Sequence, residues 1–185
     1  MNQQQQILAR FHLVLPAVRE WIDGILEEHK REAVVVSSLG FRGLPQHFPQ
    51  HLLDKAKVIS VSSVPFPPLL KLGLPELSHM ERMPLAGITY KDTFFVQESQ
   101  RSESLHFHEL VHVVQWERLG VDNFLLAYGV GLIQFGYEGS PLERMAYILQ
   151  QSFEGGAVPP NLVELIHHQT DGIWRQVAPL VQKGQ

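Results

Sequence analysis

The 185-residue chain has no cysteine. That excludes a disulfide framework and every thiolate metal site, so a metal held here must rest on histidine and carboxylate. Basic excess is also missing. Fifteen Lys and Arg stand against nineteen Asp and Glu, a net charge of −4 at pH 7. Such a balance offers no general field for nucleic acid or anionic lipid, and neither is an expected partner. Long apolar runs are absent too. The most apolar stretch, "FLLAYGVGLIQF" (124–135), has twelve residues, short of the ~20 that a bilayer requires, and reads as buried helix. The opening "MNQQQQILARFHLVLPAVRE" has no Lys or Arg before Arg10, and polar residues interrupt its apolar positions, unlike a signal peptide. No membrane span and a cytoplasmic location are the expectation.

What is present suits a folded domain. The chain is 44% hydrophobic and only 18% charged, a composition able to bury one core, and its length predicts a single domain over 1–185. Residues 2–6 are Asn and Gln and are expected to fray. Apolar residues then recur every three or four positions from Leu8 to Leu26, predicting a helix over about 5–30 that Pro16 should kink or split. "AVVVSS" (33–38) fits a buried strand or a helical extension equally well. Residues 40–86 are rich in glycine and proline and read as a long connection with little regular structure. "AGITYKDTFFVQ" (86–97) predicts a hairpin, with strands Ile88–Tyr90 and Thr93–Val96 around Lys91-Asp92. A helix capped by Ser102 or Ser104 should follow and stop at Gly120. Two more are expected, over about 122–136 and 138–153, the latter with Ser140 as N-cap and Pro141 at its first position. A final amphipathic helix over about 160–182 should bury Leu162, Leu165, Ile166, Ile173, Trp174, Val177 and Leu180. The fold class is α+β and mostly helical, with a small sheet packed on the helix at 104–118.

That helix carries the chemistry. "SLHFHELVHVVQ" (104–115) contains His108-Glu109-Leu110-Val111-His112. Residues four apart on a helix are offset by about 40° and one turn, so His108 and His112 can direct ring nitrogens at one cation. Neutral imidazole suits zinc. Glu109, about 100° around, is placed to handle a proton of a nearby water. At this chain's residue frequencies an HExxH pattern arises in roughly 4% of shuffled sequences, so its position in a predicted helix after a hairpin matters as much as the motif.

A catalytic zinc requires a third protein ligand and an open position. No histidine lies between 113 and 166, which leaves carboxylates. Glu117 points away from the pair on the same helix. Asp122, Glu138 and Glu143 remain. His106 is about 200° from His108 on a continuous helix, cannot face the same ion, and reads as an exposed or capping residue. His167 and His168 are adjacent rather than four apart and read as surface residues.

"HELVHVVQWERLG" followed by "YEGSPLERMAY" resembles the glutamate-ligand zincins, and most closely a group of small bacterial domains with a HELxHxxQ helix. The resemblance covers about residues 86–150. It implies a minimal zincin-like domain in which His108, His112 and Glu143 hold Zn2+ and Glu109 is the general base. Gly139-Ser140 and Met145 depart from the usual pattern, and Tyr147 occupies a slot where an acidic residue commonly supports a ligand histidine.

The activity that follows is zinc-dependent hydrolysis of a peptide or protein substrate, with Glu109 taking a proton from a zinc-held water and passing it to the leaving amine. Tyr137, Tyr147 and His79 are candidate donors to the developing oxyanion. The strand "TFFV" could offer its edge to an extended peptide. No signature for a free amino terminus is present, which favours internal cleavage. Two other functions fit the residues: a non-catalytic zinc-containing interaction module, and hydrolysis of a non-peptide amide.

Overall fold

The fold begins with a helix that runs through its own proline. The computed structural model describes residues 3–182, so Asn2 lies outside them, and helix α1 already spans Gln3–Glu28. Pro16 does not split it. Proline cannot bond the carbonyl of His12, but Phe11, Leu15, Val18 and Ile22 are buried in one core on both sides of it. That shared burial holds the halves in one element.

Residues 33–38 form a two-residue strand β1 (Val34–Val35), exposed at Val34 rather than buried, followed by a 3₁₀ turn over Val36–Leu39 instead of a helical extension. The 40–86 connection is more regular than its composition predicts. It contains the short helices α2 (Leu44–His47) and α3 (Gln50–Lys55), strand β2 (Lys57–Val61) and a 3₁₀ segment over Pro75–Arg82. "KVISV" is rich in β-branched residues, and Val58 and Ile59 are buried; five residues among glycines and prolines gave too little pattern to stand out.

The hairpin forms as expected, β3 (Gly87–Tyr90) and β4 (Thr93–Gln97). The sheet order is β1-β2-β4-β3, with β2 and β4 parallel and the other pairs antiparallel. This corrects one expectation. "TFFV" belongs to β4, which is paired on both sides and buried along Thr93–Val96; the edge strand of the hairpin is β3.

Helix α4 (Glu103–Gly139) starts at Ser102, whose Oγ accepts from the Leu105 N–H at 3.1 Å. It is broken at Gly120 (φ 72°) and Gly136 (φ 71°), where the left-handed backbone favours glycine. These breaks fall where the sequence places its helix ends. By length and apolar content α4 could cross a membrane, but it is interrupted twice and carries the buried polar residues His108, Glu109, His112 and Gln115. Helix α5 (Pro141–Glu154) follows with Pro141 in its first turn. Ser140 makes no side-chain cap bond, because its Oγ is packed against Gly131. Helix α6 (Leu162–Gln182) buries Leu162, Ile166 and Val177 as expected, with Val181, while Leu165, Ile173 and Trp174 are partly covered and Leu180 is 40% exposed. Together these elements make the fold α+β, mostly helical, with one small mixed sheet.

Candidate metal centre

Helices α4 and α5 pack through Leu110, Val111, Val114, Met145, Ala146 and Leu149, which share one core cluster. Ala146 is fully buried there, and its lack of bulk lets the first turn of α5 approach α4. Glu143 in that turn thereby meets the histidine pair. Nε2 of His108 and Nε2 of His112 are 3.1 Å apart. Oε2 of Glu143 lies 3.4 Å from each of them. All three side chains are buried, and among the described residues theirs is the group of ligand atoms able to share an ion. The other carboxylates are elsewhere. Glu117 is exposed and paired with Lys55 at 3.0 Å, Asp122 is exposed and paired with Arg19 at 3.1 Å, and Glu138 is exposed on the rim of a cleft.

Three observations fit the triad to a divalent metal. Bonds of about 2.0–2.1 Å at tetrahedral angles separate ligand atoms by about 3.3–3.4 Å, close to the distances found. Next, the far nitrogen of each ring is committed. Nδ1 of His112 faces Oε1 of Gln115 at 2.8 Å, and that amide is oriented because its Nε2 donates to the Leu142 carbonyl at 3.2 Å. Nδ1 of His108 faces Oε1 of Gln150 at 3.0 Å, with the Gln150 Nε2 donating to Ser104 Oγ at 2.9 Å. Both Nδ1 atoms are donors, so both Nε2 atoms turn lone pairs inward. Finally, Oε2 of Glu143 is buried with no hydrogen-bond partner, whereas Oε1 accepts from the Tyr128 hydroxyl at 2.6 Å. Buried polar atoms are rarely left in this condition, and a cation answers it.

The electrostatics agree. Burial alone would lower the His112 pKa, but the Glu143 carboxylate, with Glu109, outweighs it and lifts the group to about 9. For Glu143, burial works upward and is overcome by His112 and His108 beside it, which hold the carboxyl well below its ordinary range. Where no metal is bound, the triad gathers a proton instead.

Glu109 lies beside the triad against the edge strand. Its Oε2 accepts from Thr89 Oγ1 at 2.7 Å, and the indole of Trp116 holds the strand by donating to the Thr89 carbonyl at 3.2 Å. Burial raises the Glu109 pKa, partly offset by His108, His112 and Thr89. Gly87 permits this placement: a Cβ there would overlap the Glu109 carboxylate. Tyr137 and Tyr147 both line the adjoining cleft, and the Tyr147 ring stands 4.6 Å from that of His108. Burial raises both phenols' pKa values. The cleft is open, about 1160 Å³ in volume, and runs past Met83–Gly87, Ser99–Ser102, His108 and Glu109. A much smaller, mostly apolar chamber also adjoins the triad.

Other sequence candidates are not brought in. His79 is exposed, its Nδ1 sits 3.1 Å from the Glu76 carbonyl, and it lines neither space. His106 is buried rather than exposed: Nδ1 donates to the Ser102 carbonyl at 2.7 Å and the ring packs against Phe41 and Phe94. Burial lowers its pKa. His168 is exposed and His167 half-buried on α6, away from the triad. Sequence reading left Gln115, Gln150, Tyr128 and Thr89 without roles. Gln115 could have been found, since it follows His112 by three residues on one helix face; the others depend on packing between elements. No family model, curated protein or solved structure matches this chain.

Proposed function

We propose that the chain is a zinc-dependent hydrolase of peptide bonds with a minimal zincin-like fold, acting within chains rather than at their ends. The observation that carries this reading is the buried convergence of His108, His112 and Glu143 at 3.1–3.4 Å, with both imidazoles fixed to present bare nitrogens. Two imidazoles and one carboxylate suit zinc and leave a position open. Bound there, zinc supplies Lewis acidity toward an amide carbonyl and toward water.

The chain's own groups do the rest. Glu109 takes a proton from the attacking water and delivers it to the departing amine, and its raised pKa favours that exchange near neutrality. Thr89 holds the carboxylate in place for it. Tyr147 and Tyr137, on the cleft wall, are the donors assigned to the carbonyl oxygen as it gains charge. An extended peptide lies along the open cleft and pairs with the edge of β3. The open length of the cleft favours internal cleavage.

The test is Glu109→Gln. The purified protein should carry one zinc, His112→Ala should lose it, and Glu109→Gln should keep it while hydrolysis of a peptide library falls by at least a thousandfold. Wild-type protein that carries zinc yet cleaves no peptide would point to the non-catalytic module or a non-peptide amide. Protein without zinc, purified in the absence of chelators, would overturn the metal centre itself.

A further inference from the structure

Two unlike spaces meet at the site and share Leu85, Gly87, His108, Glu109 and Tyr137 in their walls. One is the open cleft, with Arg101, Gln100 and Glu138 on its walls. The other is a cavity of about 80 Å³ whose lining is mostly apolar. Phe11 and Val18 come to it from α1, Leu69 and Leu77 from the proline-rich connection, and Phe124 and Leu132 from α4. His108, Glu109, His112 and Glu143 supply its ionisable groups, and the polar atoms of Thr89, Tyr90, Trp116 and Tyr128, which also line it, are already committed to Glu109, Pro65, Thr89 and Glu143. Part of the chamber is thus made by segments outside 86–150, where the sequence motifs lie, and the rest by β3, α4 and α5.

We infer that this chamber selects the substrate: it receives a short aliphatic group attached next to the amide carbonyl held at the triad. The inference rests on the metal centre proposed above and adds to it a substrate class. Continuity with the site identifies the occupant, because a molecule with its carbonyl among the four polar residues can extend its neighbouring group only into the cleft or into the chamber. A charged or hydrogen-bonding group would find no partner among Phe11, Val18, Leu69, Leu77, Phe124 and Leu132, and would lose its hydration there. Size narrows the choice. An apolar cavity of about 150 Å³ admits benzene, so half that volume takes about three or four carbons. Valine-like and leucine-like groups fit; an aromatic ring does not. Helix α1 and residues 66–77, which have no other role at the site, thereby become determinants of specificity together with Phe124 and Leu132 of α4.

Alkyl hydroxamic acids test this without peptide hydrolysis, since the hydroxamate chelates zinc and the alkyl chain reports on the space beyond. Their binding to the zinc-loaded protein is to be measured by calorimetry, from the acetyl to the octanoyl compound. Affinity should rise about fourfold per added methylene, as expected for burial of each group, and level off or fall beyond a chain of about four carbons. Leu77→Phe, which fills the chamber, should flatten the rise, and Phe11→Ala, which enlarges it, should move the optimum to longer chains. The two variants push in opposite directions, and a thermal melt with zinc content shows that each is folded and loaded. Zinc-loaded protein that binds every chain length equally, or whose optimum neither variant moves, overturns the chamber's role and leaves the metal centre standing. Protein that takes up no zinc overturns both.

Discussion

Uptake of zinc should expel one proton from the triad. With Nδ1 of both rings donating to amide oxygens, the two Nε2 lone pairs would repel across 3.1 Å unless something positive lies between them. In the metal-free protein that is a proton on His112, whose pKa is lifted to about 9. At pH 6, well below that value, the site holds its proton. Two nitrogens at that separation have room for one proton between them. Zinc requires both lone pairs, so each ion bound should release about one proton, and the apparent affinity should rise about tenfold per pH unit below pH 9. The count is best made at pH 6, where a water on zinc, with a pKa near 7, contributes little. Calorimetric titration in two buffers of different ionisation enthalpy measures it directly. Release of less than half a proton per zinc at pH 6, or an affinity flat between pH 6 and 8, would refute the assignment of the inward lone pairs.

Three further outcomes follow from the same geometry. The metal-free protein should lose stability as pH rises: His112 is raised from 6.5 to about 9, so its contribution is complete below pH 6.5 and gone above about 9, on the order of 3 kcal/mol. Glu143, depressed, acts oppositely at acid pH, and denaturant melts with chelator at pH 6, 7.5 and 9.5 should show the fall while zinc-loaded protein resists it. Gln115→Leu should weaken zinc binding by roughly 10–100-fold in a chelator competition, because it frees the Nδ1 of His112 and removes the amide anchored on the Leu142 carbonyl; a change under threefold would show that the amide does not orient the ring. Gly87→Ala should leave zinc affinity within a few-fold of wild type but reduce hydrolysis by at least tenfold, since its methyl group displaces the Glu109 carboxylate. Equal activity in that variant would remove Glu109 from its post against β3.

Periodicity made the helices legible, and local signals made their ends legible. Gly120 and Gly136 take the left-handed backbone where the apolar pattern stops, and Ser102 caps where a polar run meets an apolar one. His108 and His112 were legible because helical spacing is a local rule. Glu143 was not, by spacing alone: its approach depends on α5 folding back across the break at Gly136 and on the small Ala146 between the helices. Resemblance supplied what geometry could not. The order β1-β2-β4-β3 was invisible, since nothing in "KVISV" says that it pairs parallel to β4 and pushes that strand to the interior. His106 was misjudged because its partner, the Ser102 carbonyl, is backbone and leaves no mark in the sequence.

Charge balance bears on the metal independently of distance. The buried ionisable groups at the site are Glu109, Glu143, His108 and His112, and among the described residues no Lys or Arg is buried to answer the carboxylates. With both carboxylates ionised and one proton on His112, the metal-free site carries a net charge of about −1 beside a mostly apolar chamber. Uncompensated charge in such a place is costly. A divalent ion with neutral imidazoles brings the same set to zero, since the ion's own charge is the largest in the site. The supporting partners sharpen the point. Gln115 and Gln150 are neutral amides, and carboxylates in their positions would return the loaded site to net negative charge and weaken the ion's pull on an incoming carbonyl. Surface carboxylates such as Glu117 and Asp122 have their own cations in Lys55 and Arg19. Glu143 has no Lys or Arg, and its Oε2, without a hydrogen-bond partner, faces the point where a cation would satisfy three buried groups at once.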